Sequence, residues 1–222
     1  MSYSIAIDGP AGAGKSTIAK KIAAKLGFIY VDTGAMYRAM AVYFMQNKIL
    51  PEDEAAINAA CEKIDITIEY DNGIQQVILN GENVTHLLRT EETGKMASKT
   101  SAYPKVREKL VALQQKMAET TDVIMDGRDI GTCVLKDATA KIYLTATVEA
   151  RADRRYSELK EKGENPVYEE IKKDIEERDY QDMNRKVSPL RQAEDAVLVD
   201  SSHMGIEEVV ETIIKIYESK RK

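Results

Sequence analysis

Residues 9–16 read GPAGAGKS, and no other part of the sequence says more about the fold class. A short apolar run at residues 4–7 precedes it, and a helical pattern over residues 17–26 follows it. Gly-x-x-x-x-Gly-Lys-Ser between a strand and a helix is typical of a loop that binds phosphate groups. Glycines permit positive φ angles, so backbone N–H groups can turn toward a polyphosphate at the helix N-terminus. We therefore expect Lys15 to reach the β- and γ-phosphates of a nucleotide and the Ser16 hydroxyl to bind Mg²⁺.

A plain turn rich in Gly and Ala is the competing interpretation of this stretch, and both flanking elements disfavour it.

The amino-acid composition limits the classes of partner that the protein can bind. The chain has 222 residues, with 32 Lys and Arg against 37 Asp and Glu, a net charge of −5. This balance argues against a general binder of nucleic acid or membrane surfaces, because those proteins depend on basic patches.

Hydropathy predicts where in the cell the protein is found. No apolar run approaches the ~20 residues that span a bilayer. The first residues lead directly into a strand pattern, without the basic and apolar segments of a signal peptide. We expect a cytoplasmic monomer with small-molecule substrates, and neither a nucleic-acid polymer nor a membrane as a partner.

Strand and helix patterns alternate along most of the chain. Buried strands are predicted at residues 5–7, 28–31, 122–125, 141–145 and 197–200. Amphipathic helical patterns separate them, as in a parallel sheet with ligands at the carboxyl ends of its strands. The fold class is therefore α/β, a three-layer core with a five-stranded parallel sheet.

An antiparallel excursion interrupts this order between residues 63 and 85. Residues 66–70 alternate, the sequence Asp-Asn-Gly at 71–73 predicts a turn, and residues 75–79 return. Asn80-Gly81 predicts a second tight turn. A surface hairpin without a role remains the alternative for this insertion.

The region after residue 150 predicts a mobile element and a long helix. Residues 156–166 are polar and rich in helix breakers, as in a lid. In the helix that follows, six residues share one face by their spacing of four, four, three, four and three. They are Val167, Ile171, Ile175, Arg178, Asp182 and Arg185.

Arginines occur at loops and helix ends that the sheet would bring together. Each alone is more often a solvated charge. Together, in an acidic protein with a phosphate-binding loop, they favour phosphoryl transfer, because guanidinium binds phosphate in a bidentate way and stays charged. They are Arg38, Arg128, Arg151, Arg154, Arg155, Arg178 and Arg185.

Three phrases carry a more specific resemblance. Residues 32–38 (DTGAMYR), residues 126–132 (DGRDIGT) and residues 178–190 (RDYQDMNRKVSPL) resemble the bacterial cytidylate kinase family, of the P-loop nucleoside monophosphate kinase superfamily. The resemblance covers the whole chain, including the hairpin insertion. It implies an ATP- and Mg²⁺-dependent phosphotransferase that converts CMP and dCMP to CDP and dCDP in pyrimidine nucleotide metabolism. It also implies one P-loop kinase domain over residues 1–222, with a monophosphate-binding subdomain at 33–100 and a lid at 150–166.

The resemblance further implies the residues of the site. ATP would contact Gly9, Pro10, Ala11, Gly12, Ala13, Gly14, Lys15, Ser16 and Thr17, with Arg151, Arg154 and Arg155 from the lid. The cytosine edge would be read by Ser98, Arg107 and Asp129, and the ribose would be held by Asp182 with Arg178. The phosphates would be held by Arg38, Arg128 and Arg185, beside Thr33, where the family often has Ser. Catalysis would depend on Lys15, Arg128, Arg178 and Arg185.

Three alternatives remain open at the level of sequence. A P-loop kinase for another small acceptor would differ only in the residues that read the base. A regulatory NTPase is disfavoured because Asn47-Lys48 is followed by Ile-Leu and does not form the guanine-binding motif Asn-Lys-x-Asp. A phosphate-binding scaffold without catalysis would tolerate the loss of Lys15 and the arginines.

Overall fold

The computed structural model describes residues 2–71 and 74–221. Its strands are β1 (Ser4–Asp8), β2 (Ile29–Asp32), β3 (Ile66–Asp71), β4 (Ile74–Leu79), β5 (Glu82–Asn83), β6 (Val123–Gly127), β7 (Ala140–Thr145) and β8 (Val197–Asp200). Its α-helices are α1 (Lys15–Leu26), α2 (Thr33–Gln46), α3 (Glu54–Cys61), α4 (Glu91–Thr100), α5 (Pro104–Thr120), α6 (Val148–Glu161), α7 (Tyr168–Asn184) and α8 (Ile206–Lys220). A 3-10 turn covers Thr85–Leu87, and a π-helical turn covers Ile130–Val134.

The main sheet has five strands in the order β2-β6-β1-β7-β8. Strand β1 pairs in parallel with β6 and β7, and β7 pairs in parallel with β8. In this register Asp8 lies opposite Gly127, so the loops after β1 and β6 leave the same edge of the sheet. The predicted five-stranded parallel sheet is confirmed, and its carboxyl edge is where an open α/β sheet binds ligands.

A second, antiparallel sheet contains strands β3, β4 and β5 in that order. Residue Ile66 lies opposite Leu79, as the alternating pattern predicts. Asn80 and Gly81 both have positive φ, at 49° and 85°, and form the turn between β4 and β5. The turn predicted at residues 71–73 falls in part on residues 72 and 73, which lie outside the described residues.

The chain divides into two compact units. The first consists of Met1–Tyr30 with Thr121–Lys222, and the second of Val31–Thr120. In the first unit, Ile5 and Ile7 of β1 are fully buried in one cluster with Ile18 and Ile22 of α1 and Val210 of α8. Alternate residues of a strand and residues four apart on a helix share a face, which explains how these positions meet.

The second unit has its own buried side chains. Met36, Met40 and Phe44 lie four residues apart on α2 and are fully buried. Val77 of β4 and Leu110 of α5 are buried in the same unit. The spacing of these three side chains gives α2 one apolar face.

Three local predictions need correction or addition. Helix α6 continues to Glu161, so the break predicted from residue 156 begins too early. Helix α7 spans Tyr168–Asn184, so Val167 and Arg185 flank the helix and do not lie on its face, and Val167 is 53% exposed. Helix α4 was not predicted: residues 91–100 include only one large apolar side chain, Met96, and a central glycine. Thr90 caps it by accepting a hydrogen bond from the Thr93 N–H.

Among the described helices, none combines the length and the apolar character that crossing a membrane requires.

Candidate active site

The phosphate-binding loop leaves β1 and ends at α1, as the motif predicts. Gly9 has φ of 153°, and a Cβ there would collide with the carbonyl oxygen of Leu144 in β7. Gly14 has φ of 86° and immediately precedes α1. The glycines therefore satisfy both a close approach to β7 and a left-handed turn, which places the N-terminal N–H groups of α1 beside the loop.

Lys15 is 6% exposed, and its Nζ donates a hydrogen bond to the Pro10 carbonyl oxygen at 2.7 Å. Burial and the positive charge of Arg128 together lower the pKa of Lys15 from 10.5 to about 7, against the opposing effect of Asp126. An anionic phosphate near Nζ would favour the charged ammonium. The loop thus contains a cation that a polyphosphate would stabilise.

Ser16 and Asp126 form the second element of this edge. The Ser16 Oγ donates to Asp126 Oδ2 at 2.9 Å, and the Tyr30 hydroxyl donates to Asp126 Oδ1 at 2.8 Å. A hydroxyl oxygen beside a buried carboxylate fits Mg²⁺, which prefers oxygen ligands and is usually bound by one or two carboxylates with substrate phosphates. Asp126 was absent from the predicted site. Its position directly after the apolar strand residues 123–125 is the sequence signal that could have found it.

Asp8 is a further buried carboxylate that the sequence analysis missed. It ends β1, is 4% exposed, and accepts hydrogen bonds from the N–H groups of Ile130 and Gly131, both at 2.7 Å. Burial raises its pKa from 3.8 to about 6, more than these two hydrogen bonds lower it. Asp8 therefore anchors the π-helical turn that follows Arg128 and Asp129.

Four of the predicted acceptor residues form one group of ion pairs. The Arg128 Nε lies 2.7 Å from Asp182 Oδ2. Arg185 lies 3.6 Å from Asp129 Oδ1 and 3.8 Å from Asp182 Oδ1. We name Arg128, Asp129, Asp182 and Arg185 the acceptor cluster. Residues that directly follow β6 and residues at the C-terminal end of α7, distant in sequence, thus meet in the first unit.

The segment after α7 supports this cluster. The Arg185 Nε donates to the Ser188 carbonyl oxygen at 2.6 Å. Ser188 has φ of 49°, and the Leu190 N–H donates to the Asp182 carbonyl oxygen at 2.8 Å. Arg178, by contrast, is exposed on α7, and its side chain makes no ion pair with the described residues.

The three arginines predicted to cover ATP make different contacts. Arg151 is 3% exposed and forms a bidentate pair with Asp179 of α7. Arg154 donates to the Ser201 carbonyl oxygen at 2.5 Å, and Arg155 donates to Glu158 on its own helix at 2.9 Å. The three guanidinium groups therefore bind three different partners, and among the described residues only that of Arg151 contacts the phosphate-binding loop.

The remaining predicted residues lie in the second unit. Arg107 is buried, donates to the Ser101 carbonyl oxygen at 3.3 Å, and lies 5.6 Å from the centroid of the Tyr37 ring. Thr33 is buried at the first position of α2, Arg38 is partly buried on α2, and Ser98 is exposed on α4.

A capping aspartate begins α2 in this unit. Asp32 accepts from the Ala35 N–H at 2.9 Å and pairs with Arg89 at 2.8 Å. Arg89 was absent from the predicted site.

Comparison with known proteins agrees with the sequence phrases and the fold. The model of the family described as "Cytidylate kinase" matches residues 5–219. A cytidylate kinase of Caldicellulosiruptor bescii is 49% identical over 96% of this chain and 94% of that protein. A cytidylate kinase of Carboxydothermus hydrogenoformans is 50% identical over 96% of each.

A solved structure extends the likeness at the level of fold. The crystal structure of an uncharacterized protein from Eubacterium ventriosum covers 99% of both chains, with a TM-score of 0.54 and 12% identity. That likeness concerns the fold alone. The family model spans nearly the whole chain, and the relatives share about half of its residues over almost their full length. The chain therefore belongs to the cytidylate kinase family.

Proposed function

We propose that this protein transfers the γ-phosphoryl group of ATP to CMP, and also to dCMP, giving ADP with CDP or dCDP. The observation that carries the proposal is the acceptor cluster, in the same unit as the phosphate-binding loop with Lys15 and Ser16. Phosphoryl transfer needs positioning and charge neutralisation more than covalent work by the protein. A cationic loop and paired arginines supply both.

The donor half of the proposal uses residues 9–17. The N–H groups at the start of α1 face the phosphates, and Lys15 follows the γ-phosphoryl group during transfer. Ser16 and Asp126, 2.9 Å apart, would hold Mg²⁺ together with the phosphate oxygens. The bound ion would neutralise charge on those oxygens.

The acceptor half uses the acceptor cluster. The phosphate of CMP is already an anionic nucleophile, so no strong general base is required. The Nε of Arg128 bonds Asp182, and its guanidinium carries further N–H donors in a fork that suits a phosphate. Arg185 is held by Ser188, Asp129 and Asp182, which fixes its position before binding. Arg38, Thr33 and Arg178 are proposed as further contacts to the nucleotide, as the sequence phrases imply.

Base selection is assigned to Asp129, with Arg107 and Ser98. Cytosine presents an exocyclic amine, which can donate to the Asp129 carboxylate, and N3 and O2 acceptors. Uracil presents a carbonyl where cytosine has the amine, so it would face a carboxylate without a donor. Leaving such buried groups unpaired is costly, which favours CMP over UMP.

A phosphotransfer assay tests the function. ADP formation from ATP·Mg²⁺ is measured with CMP, dCMP, UMP or AMP, and without any acceptor. We expect turnover with CMP and dCMP, much lower turnover with UMP and AMP, and negligible ADP formation without acceptor. ADP formation at the same rate with and without CMP would contradict the proposal and favour a regulatory NTPase. The proposed setting is the cytoplasm, in pyrimidine nucleotide metabolism, with the protein as a monomer.

A further inference from the structure

The Arg151 side chain bonds three separate parts of the first unit. Its Nε donates to the Ala146 carbonyl oxygen at 3.0 Å, next to the end of β7. One terminal nitrogen donates to the Ala11 carbonyl oxygen, within the phosphate-binding loop, at 2.9 Å. The same nitrogen and its neighbour contact the two Asp179 carboxylate oxygens at 3.1 and 2.5 Å. One guanidinium therefore links β7, the loop and α7.

Because Arg151 and Asp179 are both buried, replacing their contacts with contacts to a ligand would cost free energy. Arg151 is 3% exposed and Asp179 is 9% exposed. Removing one partner of a buried ion pair leaves the other charge uncompensated, which strongly disfavours release of Arg151 toward a ligand. The loop also packs against the stem of this side chain, because a Cβ on Gly12 would lie 3.5 Å from the Arg151 Cβ.

Asp179 connects the contacts of Arg151 to the part of α7 that carries Asp182. Asp179 lies three residues before Asp182 on α7, and Asp182 pairs with both arginines of the acceptor cluster. Residues three apart on a helix lie close to one face. A rigid connection from Ala11 to Asp179 therefore joins the loop that binds the donor to the helix that holds the acceptor cluster.

We propose that Arg151 is a positioning residue that fixes the phosphate-binding loop to α7, and that it does not bind the phosphates of ATP. The inference rests on the proposed function, since it takes ATP as the ligand of the loop. It assigns Arg151 a different role from the one that the family resemblance implies. Asp179 is the residue of α7 to which Arg151 is bound, and it has the same positioning role.

The two roles predict opposite effects of Asp179→Asn. If Arg151 bound phosphate directly, loss of the Asp179 charge would free the guanidinium, and donor affinity would stay equal or increase. If Arg151 positions the loop, the same change loosens the link to α7 and lowers donor affinity. The full-length protein is titrated by calorimetry with Mg²⁺ and β,γ-imido-ATP, a non-hydrolysable donor analogue. We expect affinity to fall on the order of tenfold in Asp179→Asn, the effect of losing one hydrogen bond to a charged group.

Arg151→Lys tests the same link from its other end. A lysine keeps the charge, but its compact ammonium cannot span the Ala11, Ala146 and Asp179 oxygens together. We expect donor affinity to fall at least as far as in Asp179→Asn, and the double variant to be no weaker than Arg151→Lys, because both changes break one connection. In steady state, KM for CMP should increase together with KM for ATP.

A matched control is available in the same pair of helices. Lys172 of α7 pairs with Glu149 of α6 at 2.9 Å, and neither belongs to the proposed site. Lys172→Gln breaks an ion pair between α6 and α7 and should leave donor affinity within about twofold of the starting protein, as for exposed pairs in general.

The outcomes separate the inference from the proposed function. Equal or tighter binding of the analogue by Asp179→Asn overturns the inference, and so does an increase in KM for ATP alone in Arg151→Lys. If melting curves show that one variant is unfolded, the other still decides. Tight analogue binding without phosphorylation of CMP would refute the proposed function but leave the role of Arg151 testable by the same titrations.

Discussion

Residues 9–16 and residues 128–134 follow neighbouring parallel strands, but they are shaped by different means. The first segment turns because of its own glycines, with φ of 153° at Gly9 and 86° at Gly14. The second turns because the Asp8 side chain, more than 120 positions earlier in the chain, accepts the N–H groups of Ile130 and Gly131. The conformation of the first segment is determined by its own residues. The conformation of the second is stabilised by a side chain that is distant in sequence.

The two segments also differ in what they do with charge. The first places a buried lysine beside backbone donors, whereas the second places Arg128 and Asp129 in ion pairs with α7. We therefore expect the first segment to determine whether phosphate is transferred and the second to determine which acceptor is used. Substitutions in each segment test this difference.

The largest effect is expected for Lys15→Met. The methionine retains the apolar stem of the side chain but removes the charge that would follow the transferred phosphoryl group. We expect kcat to fall by about 100- to 1000-fold, the range seen when one preorganised donor is lost from a transition state. The circular dichroism spectrum should be unchanged.

Lys20→Met is the control, because Lys20 is exposed on the same helix and lies over the Tyr30 ring. A Lys15→Met variant with nearly normal kcat would refute the assignment of the phosphate-binding loop.

The contrast between the segments also explains what sequence could predict. The loop, the five strands and helix α1 follow from local patterns, since glycines, apolar runs and a 3.6-residue period act over short distances. The π-helical turn at Ile130–Val134 could not be predicted, because the carboxylate that stabilises it comes from β1. Asp126 had a local signal, since it directly follows an apolar strand, but its partner Ser16 lies 110 positions away, so no local pattern pairs the two.

The arginines show the limit of reasoning from residue type. Guanidinium groups suit phosphates and buried carboxylates equally well. Arg128 and Arg185 lie together in the acceptor cluster, where both pair with Asp182. Arg151 pairs with Asp179, which the family phrase contains but which had no predicted role. Only the three-dimensional structure distinguishes an arginine that is available to phosphate from one that pairs with a buried carboxylate.

The second largest effect concerns stability and tests the anchor of the second segment. Burial raises the Asp8 pKa to about 6, so the folded state binds this proton more tightly than the unfolded state. The Asp8 contribution to stability is therefore greatest below about pH 4 and is lost as pH increases to about 6. A shift of this size corresponds to about 3 kcal/mol. Asp8→Asn removes it.

Urea unfolding from pH 4 to pH 7 measures this difference. The free energy of unfolding of the unsubstituted protein, relative to Asp8→Asn, should fall as the pH increases. Asp200→Asn is a control without a slope in this range, because hydrogen bonds from Ser202 lower the pKa of Asp200, so its contribution to stability is lost only below about pH 4. Parallel stability curves for the protein and Asp8→Asn would show that Asp8 does not titrate as inferred.

A smaller effect is expected for selectivity, through Asp129→Ala. The variant loses the carboxylate proposed to accept the cytosine amine, so the ratio of kcat/KM for CMP over UMP should fall by about 30-fold, which corresponds to about 2 kcal/mol, a typical cost of one unpaired buried group. The rate of phosphoryl transfer to CMP at saturation should fall less. Asp129→Asn keeps the shape of the side chain and serves as the matched variant. Equal losses with CMP and UMP would count against base reading by Asp129.

The smallest effect joins the two segments through the pKa of Lys15. Burial and the charge of Arg128 lower this pKa to about 7, so Lys15 is largely neutral at pH 8. A bound triphosphate favours the ammonium form, so binding of Mg²⁺·β,γ-imido-ATP should take up a proton. Affinity should consequently decrease as pH increases above 7, by at most about tenfold per pH unit. Calorimetry in buffers with different heats of ionisation measures the uptake directly.

Arg128→Met extends this experiment to the second segment. Without the neighbouring positive charge, the pKa of Lys15 should increase toward its ordinary value of 10.5. Proton uptake at pH 8 should then become smaller, and the decrease in affinity should move to higher pH. The position of the pH dependence is informative even if Arg128→Met weakens binding of every nucleotide. An unchanged pH dependence in Arg128→Met would mean that burial alone sets the Lys15 pKa, and that the two segments act on the donor independently.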